Sequence, residues 1–234
     1  MSNQELLSKL TEAVVEGSAE KAKTAVDSLL NAGVDPVEIM QVGVAGGMAR
    51  IGQLFQDFEV YLPELMLAAD VGKACLEQLA PHMTKKQSAS ASLGKVVLGT
   101  MTGDVHDIGK NLVGAVLGAS GFEVYDLGVD VPPLNFVKKA EEVKATIIGL
   151  SSLLTTSLPY QKDLVAYLND MGLRQNYYVV VGGGPVTPEW AGKIKSDGYA
   201  RLATEAVELC RQLVACGKKP PLDSPIIIGS QTND

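Results

Sequence analysis

The chain has 234 residues, of which 46% are hydrophobic and 20% charged, and its formal net charge is -7. This composition is typical of a globular protein and allows one large or two small domains with a real core. The acidic balance argues against a nucleic-acid partner, because phosphate neutralisation requires lysine and arginine. The N-terminal residues lack a signal-peptide pattern, and no apolar run approaches the ~20 residues of a membrane span. The three cysteines lack Cys-x-x-Cys spacing and indicate neither a disulfide framework nor a zinc site, so we expect a cytoplasmic protein without membrane contact.

Residues 1–83 contain only helical patterns. Apolar residues recur at helical spacing in four segments that are separated by short breaks. Ser18 is a candidate N-cap for the second segment, and Asp35-Pro36 opens the third, since aspartate caps helices and proline suits the first turn. Leu62-Pro63 opens the fourth. Four helices with short connections predict an antiparallel bundle, which we treat as an all-α domain over 1–83.

The rest of the chain alternates between strand and helix patterns. Residues 84–94 are rich in serine and alanine and predict a linker. Residues 95–217 predict a flavodoxin-like α/β Rossmann domain with a five-stranded parallel sheet in the order 2-1-3-4-5. Residues 218–234 predict an extended C-terminal tail on the surface. The predicted strands are 95–100, 122–126, 145–150, 177–182 and 198–200, and the predicted helices are 109–120, 133–143, 158–171, 188–196 and 203–216.

The loop between the first predicted strand and helix reads Gly103-Asp104-Val105-His106-Asp107-Ile108-Gly109. It falls at the carboxyl edge of the parallel sheet, where α/β folds bind ligands. His106 is one of only two histidines in the chain, and an aspartate lies on either side of it. A carboxylate that holds a neutral imidazole is a common arrangement at a transition metal. A lone histidine is also an ordinary surface residue, so the loop by itself leaves a metal role open.

Two further motifs follow this loop at defined distances. Residues 110–150 separate Gly109 from Ser151-Ser152-Leu153, and residues 154–181 separate Leu153 from Gly182-Gly183-Gly184. Asp-x-His-x-x-Gly, Ser-x-Leu and Gly-Gly in this register resemble the cobalamin-binding domain of the methyltransferase and mutase families. The resemblance implies a cobalamin cofactor with His106 as the lower axial ligand of cobalt. It also implies that the displaced nucleotide tail of the cofactor enters the protein beside the sheet.

The same resemblance suggests roles for the remaining motif residues. Asp104 would orient His106, and Ser157 matches by position the serine that extends this hydrogen-bond chain into a proton relay in methionine synthase. A plain N-cap is the alternative for Ser157. The glycine triple also suits a phosphate of NAD or FMN, but no Gly-x-Gly-x-x-Gly follows the first strand. Together with the histidine loop, the expected contacts of the nucleotide tail are Gly149, Ser151, Leu153, Thr155, Gly182, Gly183 and Gly184.

The stretch from Glu59 to Met66 resembles the helical module that precedes the cobalamin domain in methionine synthase and in corrinoid methyl carriers. That module covers the upper face of the corrin and shields the methyl group. The resemblance makes Tyr61, Leu62, Leu65 and Met66 candidates for contact with the corrin, with plain bundle core as the alternative.

The resemblance predicts a corrinoid methyl carrier of a multi-component methyltransferase, or demethylase, system. Cobalamin, in its methylcobalamin form, would cycle between Co(I) and methyl-Co(III). The expected partners are a substrate-specific corrinoid methyltransferase, an acceptor methyltransferase that uses tetrahydrofolate or a thiol, and a reductive activase. Such a subunit is not expected to turn over alone. Methylamines, methanol, betaine and aryl methyl ethers all remain open as donors, because specificity lies on the partner enzyme.

Three other functions compete with this prediction. The small subunit of an adenosylcobalamin mutase shares the histidine loop but lacks a helical cap. A cobalamin-sensing regulator adds a basic DNA-binding module, which this sequence does not contain. A flavodoxin-like or receiver-like domain without cobalamin leaves the register of the three motifs unexplained.

Overall fold

The computed structural model describes residues 2–83 and 93–229, which belong to two compact units, one helical and one α/β. The predicted linker at 84–94 lies outside the described residues except for Leu93 and Gly94. Within the described part of the chain, no helix combines the length and the apolarity that a membrane crossing requires.

The helical unit has the predicted four-helix arrangement. The helices are α1 (Asn3–Val15), α2 (Ala19–Asn31), α3 (Pro36–Glu38), α4 (Ala45–Gln56) and α5 (Leu62–Leu79). Helix α1 packs against α2 and α4, and α5 packs against the same two helices. A π-helical stretch, Ile39–Val44, joins α3 to α4, and the short 3-10 turn Ala80–His82 follows α5.

Local chemistry explains where these helices begin. The Asp35 carboxylate accepts a hydrogen bond from the Val37 N–H at 2.8 Å, which confirms the predicted start of the third helical segment. Ser18 occupies the N-cap position of α2, but its side chain makes no capping hydrogen bond.

Glycines in the third segment allow close packing against α1. A Cβ on Gly43 would lie 2.5 Å from Leu10 Cδ2, and one on Gly47 would lie 2.7 Å from Val14 Cβ. Packing therefore compensates for the low helix propensity of these two positions. It does not explain Gly52, where a Cβ would meet nothing within 4 Å.

The α/β unit contains a parallel sheet in the order β2-β1-β3-β4-β5-β6. The predicted order of the first five strands is confirmed. The strands are β1 (Lys95–Thr100), β2 (Glu123–Asp126), β3 (Ile147–Ser151), β4 (Tyr178–Gly182), β5 (Gly198–Ala200) and β6 (Ile226–Ile228). The helices are α6 (Ile108–Ala119), α7 (Pro133–Val143), α8 (Leu158–Asp170), α9 (Pro188–Ile194) and α10 (Ala203–Ala215).

The sixth strand corrects the predicted five-stranded sheet, because part of the predicted tail after residue 217 joins the sheet at its edge. Strand β6 pairs in parallel with β5, and Gly198 is opposite Ile226. The buried Asp197 holds this segment, because its carboxylate accepts from the Leu222 N–H at 2.7 Å and its carbonyl accepts from the Ile226 N–H at 2.9 Å. Of the described tail, the segment Ile226–Ile228 therefore belongs to the sheet.

The two faces of the sheet are packed differently. On the face covered by α7, α8 and α9, a continuous apolar core includes Phe136, Ile148 and Leu164, all with 0% exposure. Alternate side chains of the strands point to the other face, which α6 and α10 cover. A cavity lies on that face.

Candidate functional site

The histidine loop connects the end of β1 to the start of α6. Gly103 has φ +78, which glycine adopts without strain, and the Asp104 N–H closes a turn onto the Met101 carbonyl at 3.1 Å. The Thr100 hydroxyl donates to the His106 carbonyl at 2.9 Å. Thr100, the last residue of the strand, thereby holds the backbone of His106. His106 lies at the carboxyl edge of β1, as predicted.

Asp104 is the buried centre of this site, with 0% exposure. Its Oδ2 accepts from the backbone N–H groups of Leu153 at 2.6 Å and Leu154 at 2.9 Å, and from the Ser157 hydroxyl at 3.2 Å. Its Oδ1 accepts from the His106 N–H at 3.1 Å and lies 2.7 Å from His106 Nδ1. Burial alone would raise the pKa of the Asp104 carboxyl, but these donors outweigh it and hold the pKa well below its usual range. Asp104 is therefore an anion at neutral pH.

The charge on Asp104 fixes the tautomer of His106. An ionised carboxylate accepts hydrogen bonds only, so Nδ1 must carry the ring proton. In the neutral ring Nε2 then has a free lone pair, and within the described residues it makes no hydrogen bond. The side chain is 48% exposed and contributes to the cavity wall. The imidazole thus has one nitrogen held by protein and the other available to a ligand.

Ser157 is 1% exposed and lies next to Asp104, on the side away from His106. Its hydroxyl lies 2.8 Å from the Leu154 carbonyl and 3.2 Å from Asp104 Oδ2, so one proton serves two acceptors. Ser157 stands at the N-cap position of α8, but its side chain makes no capping hydrogen bond. The geometry therefore favours the contact with Asp104 over the N-cap interpretation.

The other loop residues surround His106 with apolar surface. Val105 is 70% exposed and Ile108 is 82% exposed. Asp107 accepts a hydrogen bond from Asn111 Nδ2 at 3.1 Å, so of the two flanking aspartates only Asp104 holds the imidazole. A Cβ on Gly109 would meet nothing within 4 Å, which leaves open space beside the start of α6.

The cavity has a volume of about 470 Å³ and extends from His106 across β1, β3, β4 and β5. Of the predicted tail contacts, it is lined by Gly109, Gly149, Ser151, Leu153, Gly182, Gly183 and Gly184. Thr155 is exposed in the 3-10 turn Thr155–Ser157 and is not among the lining residues.

Two of these glycines lie where a side chain would meet a neighbour. Gly183 has φ +116, and a Cβ there would lie 1.9 Å from the Ser152 carbonyl oxygen, so a larger residue would displace the loop after β3. A Cβ on Gly149 would lie 2.9 Å from Leu98 Cδ1, the end of a flexible side chain.

Several cavity residues were not predicted. Lys110 is buried, and its ammonium group contacts Asp126 and lies 2.6 Å from Asn111 Oδ1. Arg201 and Ala203 follow β5 and line the far end. Since β5 is the next parallel strand after β4, its carboxyl end meets the same edge, and this relationship could have identified Arg201 and Ala203.

The cap candidates belong to the helical unit. Tyr61 and Met66 are exposed, whereas Leu65 is completely buried among the helices. Leu65 is therefore bundle core, as the alternative interpretation stated. Leu62 begins α5 and is half-buried.

Within the described residues, no group of three or more histidine, cysteine, aspartate or glutamate side chains could hold a metal ion.

Comparisons with known proteins identify the family. Residues 94–208 and residues 6–80 match two family models, each described as a B12 binding domain. Dimethylamine corrinoid protein 1 of Methanosarcina acetivorans is 46% identical over 92% of this chain and 100% of its own length. Trimethylamine corrinoid protein 1 of the same organism is 39% identical over 91% of this chain and 99% of its own.

Solved structures give the same result. The methanol:cobalamin methyltransferase complex of Methanosarcina barkeri contains a chain with a TM-score of 0.81 and 26% identity, over 92% of this chain and 81% of that one. A cobalamin-binding protein of Desulfitobacterium hafniense has a TM-score of 0.68 and 31% identity, over 88% of this chain and 98% of that one. The chain therefore belongs to the family of B12-binding corrinoid proteins of methyltransferase systems, and cobalamin is its cofactor.

Proposed function

We propose that this protein carries a methyl group from a donor-specific methyltransferase to an acceptor methyltransferase that uses tetrahydrofolate or a thiol. The observation that supports it best is the contact series Ser157–Asp104–His106 at the mouth of a glycine-lined cavity. Bound cobalamin supplies a cobalt centre that can accept and release a methyl group. The names of the relatives make methylated amines the first donors to test, and dimethylamine the first among them.

The residues of the site suit the cofactor. His106 Nε2 is the free donor atom, and imidazole is a good ligand for cobalt. Asp104 holds Nδ1 at 2.7 Å, which fixes the orientation of the ring and makes it a stronger ligand. The exposed apolar side chains of Val105 and Ile108 would lie against the macrocycle.

The cavity suits a nucleotide tail. Its apolar walls would hold the base, and the Ser151 hydroxyl offers a hydrogen bond. Gly149, Gly182 and Gly183 keep the strand ends free of side chains there. Gly109 leaves open space at the start of α6, where the tail would enter the cavity.

Asp104 and Ser157 would control the proton on His106. An imidazole that is not bound to metal has its Nε2 lone pair open to a proton, and the anionic Asp104 lies 2.7 Å from Nδ1 on the other side of the ring. Ser157 and the Leu153 and Leu154 N–H groups keep Asp104 ionised in both states. These residues would thus couple the ligation of His106 to pH.

The helical unit would shield the methyl group, with Tyr61, Leu62 and Met66 as the contact residues. Tyr61 and Met66 expose apolar surface that the helical core does not use. Holding the donor in line can supply about 7–11 kcal/mol of the barrier, and we assign that task to the methyltransferase. A reductive activase would restore protein that has become oxidised.

Reconstitution tests the carrier function. Reduced, cobalamin-loaded protein is mixed with dimethylamine and a thiol or tetrahydrofolate acceptor, with and without a dimethylamine methyltransferase and an acceptor methyltransferase. We expect methylated acceptor only when both enzymes are present, and no product with His106→Ala. Turnover by the isolated protein would mean that it is an enzyme in its own right. Failure with dimethylamine but success with methanol and its methyltransferase would keep the carrier function and change the donor.

A further inference from the structure

The loop that follows β2 lies beside the histidine loop and contacts it through Asp130. Asp130 Oδ1 accepts from the Gly103 N–H at 2.7 Å. The Asp130 N–H in turn donates to the Asp104 carbonyl at 3.0 Å. One residue therefore holds both ends of the Gly103-Asp104 pair.

Asp130 adopts an unfavourable backbone conformation to make these contacts. Its φ is +53, in the left-handed region that most residues avoid and that aspartate and asparagine tolerate best. Lys144 and Lys195 have similar φ values, but each ends a helix, where this conformation is common. Asp130 ends no helix and lies between β2 and α7. Strain of this kind persists where the surrounding contacts impose it.

Neighbouring contacts fix the loop in the same place. The Thr102 hydroxyl donates to the Val131 carbonyl at 3.0 Å, and the Val131 N–H donates to the Thr100 carbonyl at 2.9 Å. The loop after β2 is thus a rigid support on which Asp130 faces the backbone of the histidine loop.

The two sides of Asp104 are anchored separately. Its carboxylate is held by residues after β3, its N–H donates to the Met101 carbonyl, and its own carbonyl is held by Asp130 after β2. Without Asp130, the Gly103 N–H and the Asp104 carbonyl would lose their partners, and the backbone of this pair could rotate, because Gly103 imposes little restraint. The His106 ring would then change its direction, since it follows both the loop and the carboxylate. Asp130 removes this freedom.

We propose that Asp130 is a positioning residue that sets the direction of His106 Nε2 towards the cobalt. This inference depends on the proposed role of His106 as the axial ligand. Asp130 does not touch the imidazole and acts only through Gly103 and Asp104.

Three substitutions separate the carboxylate from the backbone conformation. Asp130→Gly keeps the positive φ without strain and removes the acceptor for Gly103. Asp130→Asn keeps both an acceptor oxygen and tolerance of the left-handed region. Lys144→Gly is the matched control, because it relieves a φ of +55 before β3, at the opposite edge of the sheet from the site. We expect all three variants to fold, with a thermal midpoint at or above that of the wild type in Lys144→Gly and close to it in the two Asp130 variants, where relieved strain and altered hydrogen bonding offset each other.

Competition by free imidazole measures how well His106 is placed. Each protein is loaded with Co(II) cobalamin, and imidazole labelled with heavy nitrogen is added. The axial hyperfine splitting in the electron paramagnetic resonance spectrum reports which imidazole binds the cobalt. The concentration of free imidazole that replaces half of His106 should fall about fivefold in Asp130→Gly, which is the typical effect of one lost hydrogen bond. It should stay near the wild-type value in Asp130→Asn and Lys144→Gly.

The outcomes are distinguishable. An unchanged competition midpoint in Asp130→Gly would overturn the inference and leave His106 ligation intact. An equal fall in Lys144→Gly would also overturn it, because the effect would then reflect general loosening of the domain. Absence of histidine coordination in the wild type would reject the ligand assignment on which the inference depends.

Discussion

Ser157 Oγ lies 3.2 Å from Asp104 Oδ2, and both groups are buried. This contact joins the loop after β1 to the start of α8, which follows β3. These are the two neighbouring strands at which the direction of the chain connections reverses, where open α/β sheets bind ligands. The hydrogen bonds that stabilise the domain at this point are thus also the ones that hold His106, the proposed cobalt ligand.

Replacing Asp104 should show how much this anion contributes to stability. In Asp104→Asn, the charge is lost and the amide cannot accept from all five surrounding donors. We expect the free energy of unfolding of the cobalamin-free protein to fall by roughly 3 kcal/mol at neutral pH, as measured by urea denaturation.

The unfolding free energies of wild type and Asp104→Asn should depend differently on pH. The pKa of Asp104 is lowered by folding, so its contribution is complete above the unfolded pKa of about 3.9 and is lost as the pH falls towards the folded pKa. The difference in unfolding free energy between wild type and Asp104→Asn, measured from about pH 5 downwards, should shrink below about pH 4. A difference that grows below about pH 4 would contradict the assigned ionisation.

Replacing Ser157 should distinguish the proposed proton relay through its hydroxyl from the stabilising effect of the charge on Asp104. Ser157→Ala removes the hydroxyl and leaves both backbone donors to Asp104, so the stability loss should be about 1 kcal/mol. Cobalamin should still bind, but the pH dependence of the reduction midpoint of the bound cofactor should shift. Potentiometric titration over a range of pH checks this, and a curve identical to that of the wild type would exclude a relay through Ser157.

A substitution at Gly109 should weaken cobalamin binding without reducing the stability of the protein. A Cβ there meets no protein atom within 4 Å, so Gly109→Ala should leave stability unchanged or raise it by up to about 1 kcal/mol. Because Gly109 lines the cavity, cobalamin affinity should weaken roughly tenfold. Gly192→Ala, within α9 and also without close neighbours, is the control and should affect neither cobalamin affinity nor folding adversely. Equal cobalamin affinity in Gly109→Ala and wild type would place the nucleotide tail elsewhere.

Substitutions of Met66 and Tyr61 should show whether these side chains shield the methyl group. Both side chains are exposed, so Met66→Ala and Tyr61→Ala should each change stability by less than about 1 kcal/mol. With methylcobalamin bound, both variants should lose the methyl group to light faster than the wild type, because a shield keeps the separated fragments together. Leu76→Ala, on the same helix, is the control. Photolysis rates equal to that of the wild type in both variants would exclude these two residues as the shield.

The sequence predicted the parts of the fold that depend on long periodic patterns of apolar residues or on short motifs of consecutive residues. The four helices, the first five strands and the position of His106 follow from apolar periodicity and from a motif of consecutive residues. Strand β6 escaped prediction because it has three residues and follows a proline-rich stretch, so only its pairing with β5 and its anchoring by Asp197 identify it.

The contact of Asp130 with Gly103 was not predictable, since it joins residues that no local pattern relates. The pairing of Lys110 with Asp126 is a contact of the same kind. Ser157 was found through a family resemblance, and only the structure reveals that its hydroxyl bonds to Asp104 and not to the helix it precedes.

Spectroscopy on protein labelled with heavy nitrogen in histidine tests the central claim most directly. With Co(II) cobalamin bound, the axial hyperfine splitting should change to the pattern of the heavy isotope in the wild type and in His82→Gln, which removes the other histidine. It should show no histidine nitrogen in His106→Gln. A wild-type spectrum that does not respond to the label would mean that His106 does not bind the cobalt, and it would contradict the account of this site.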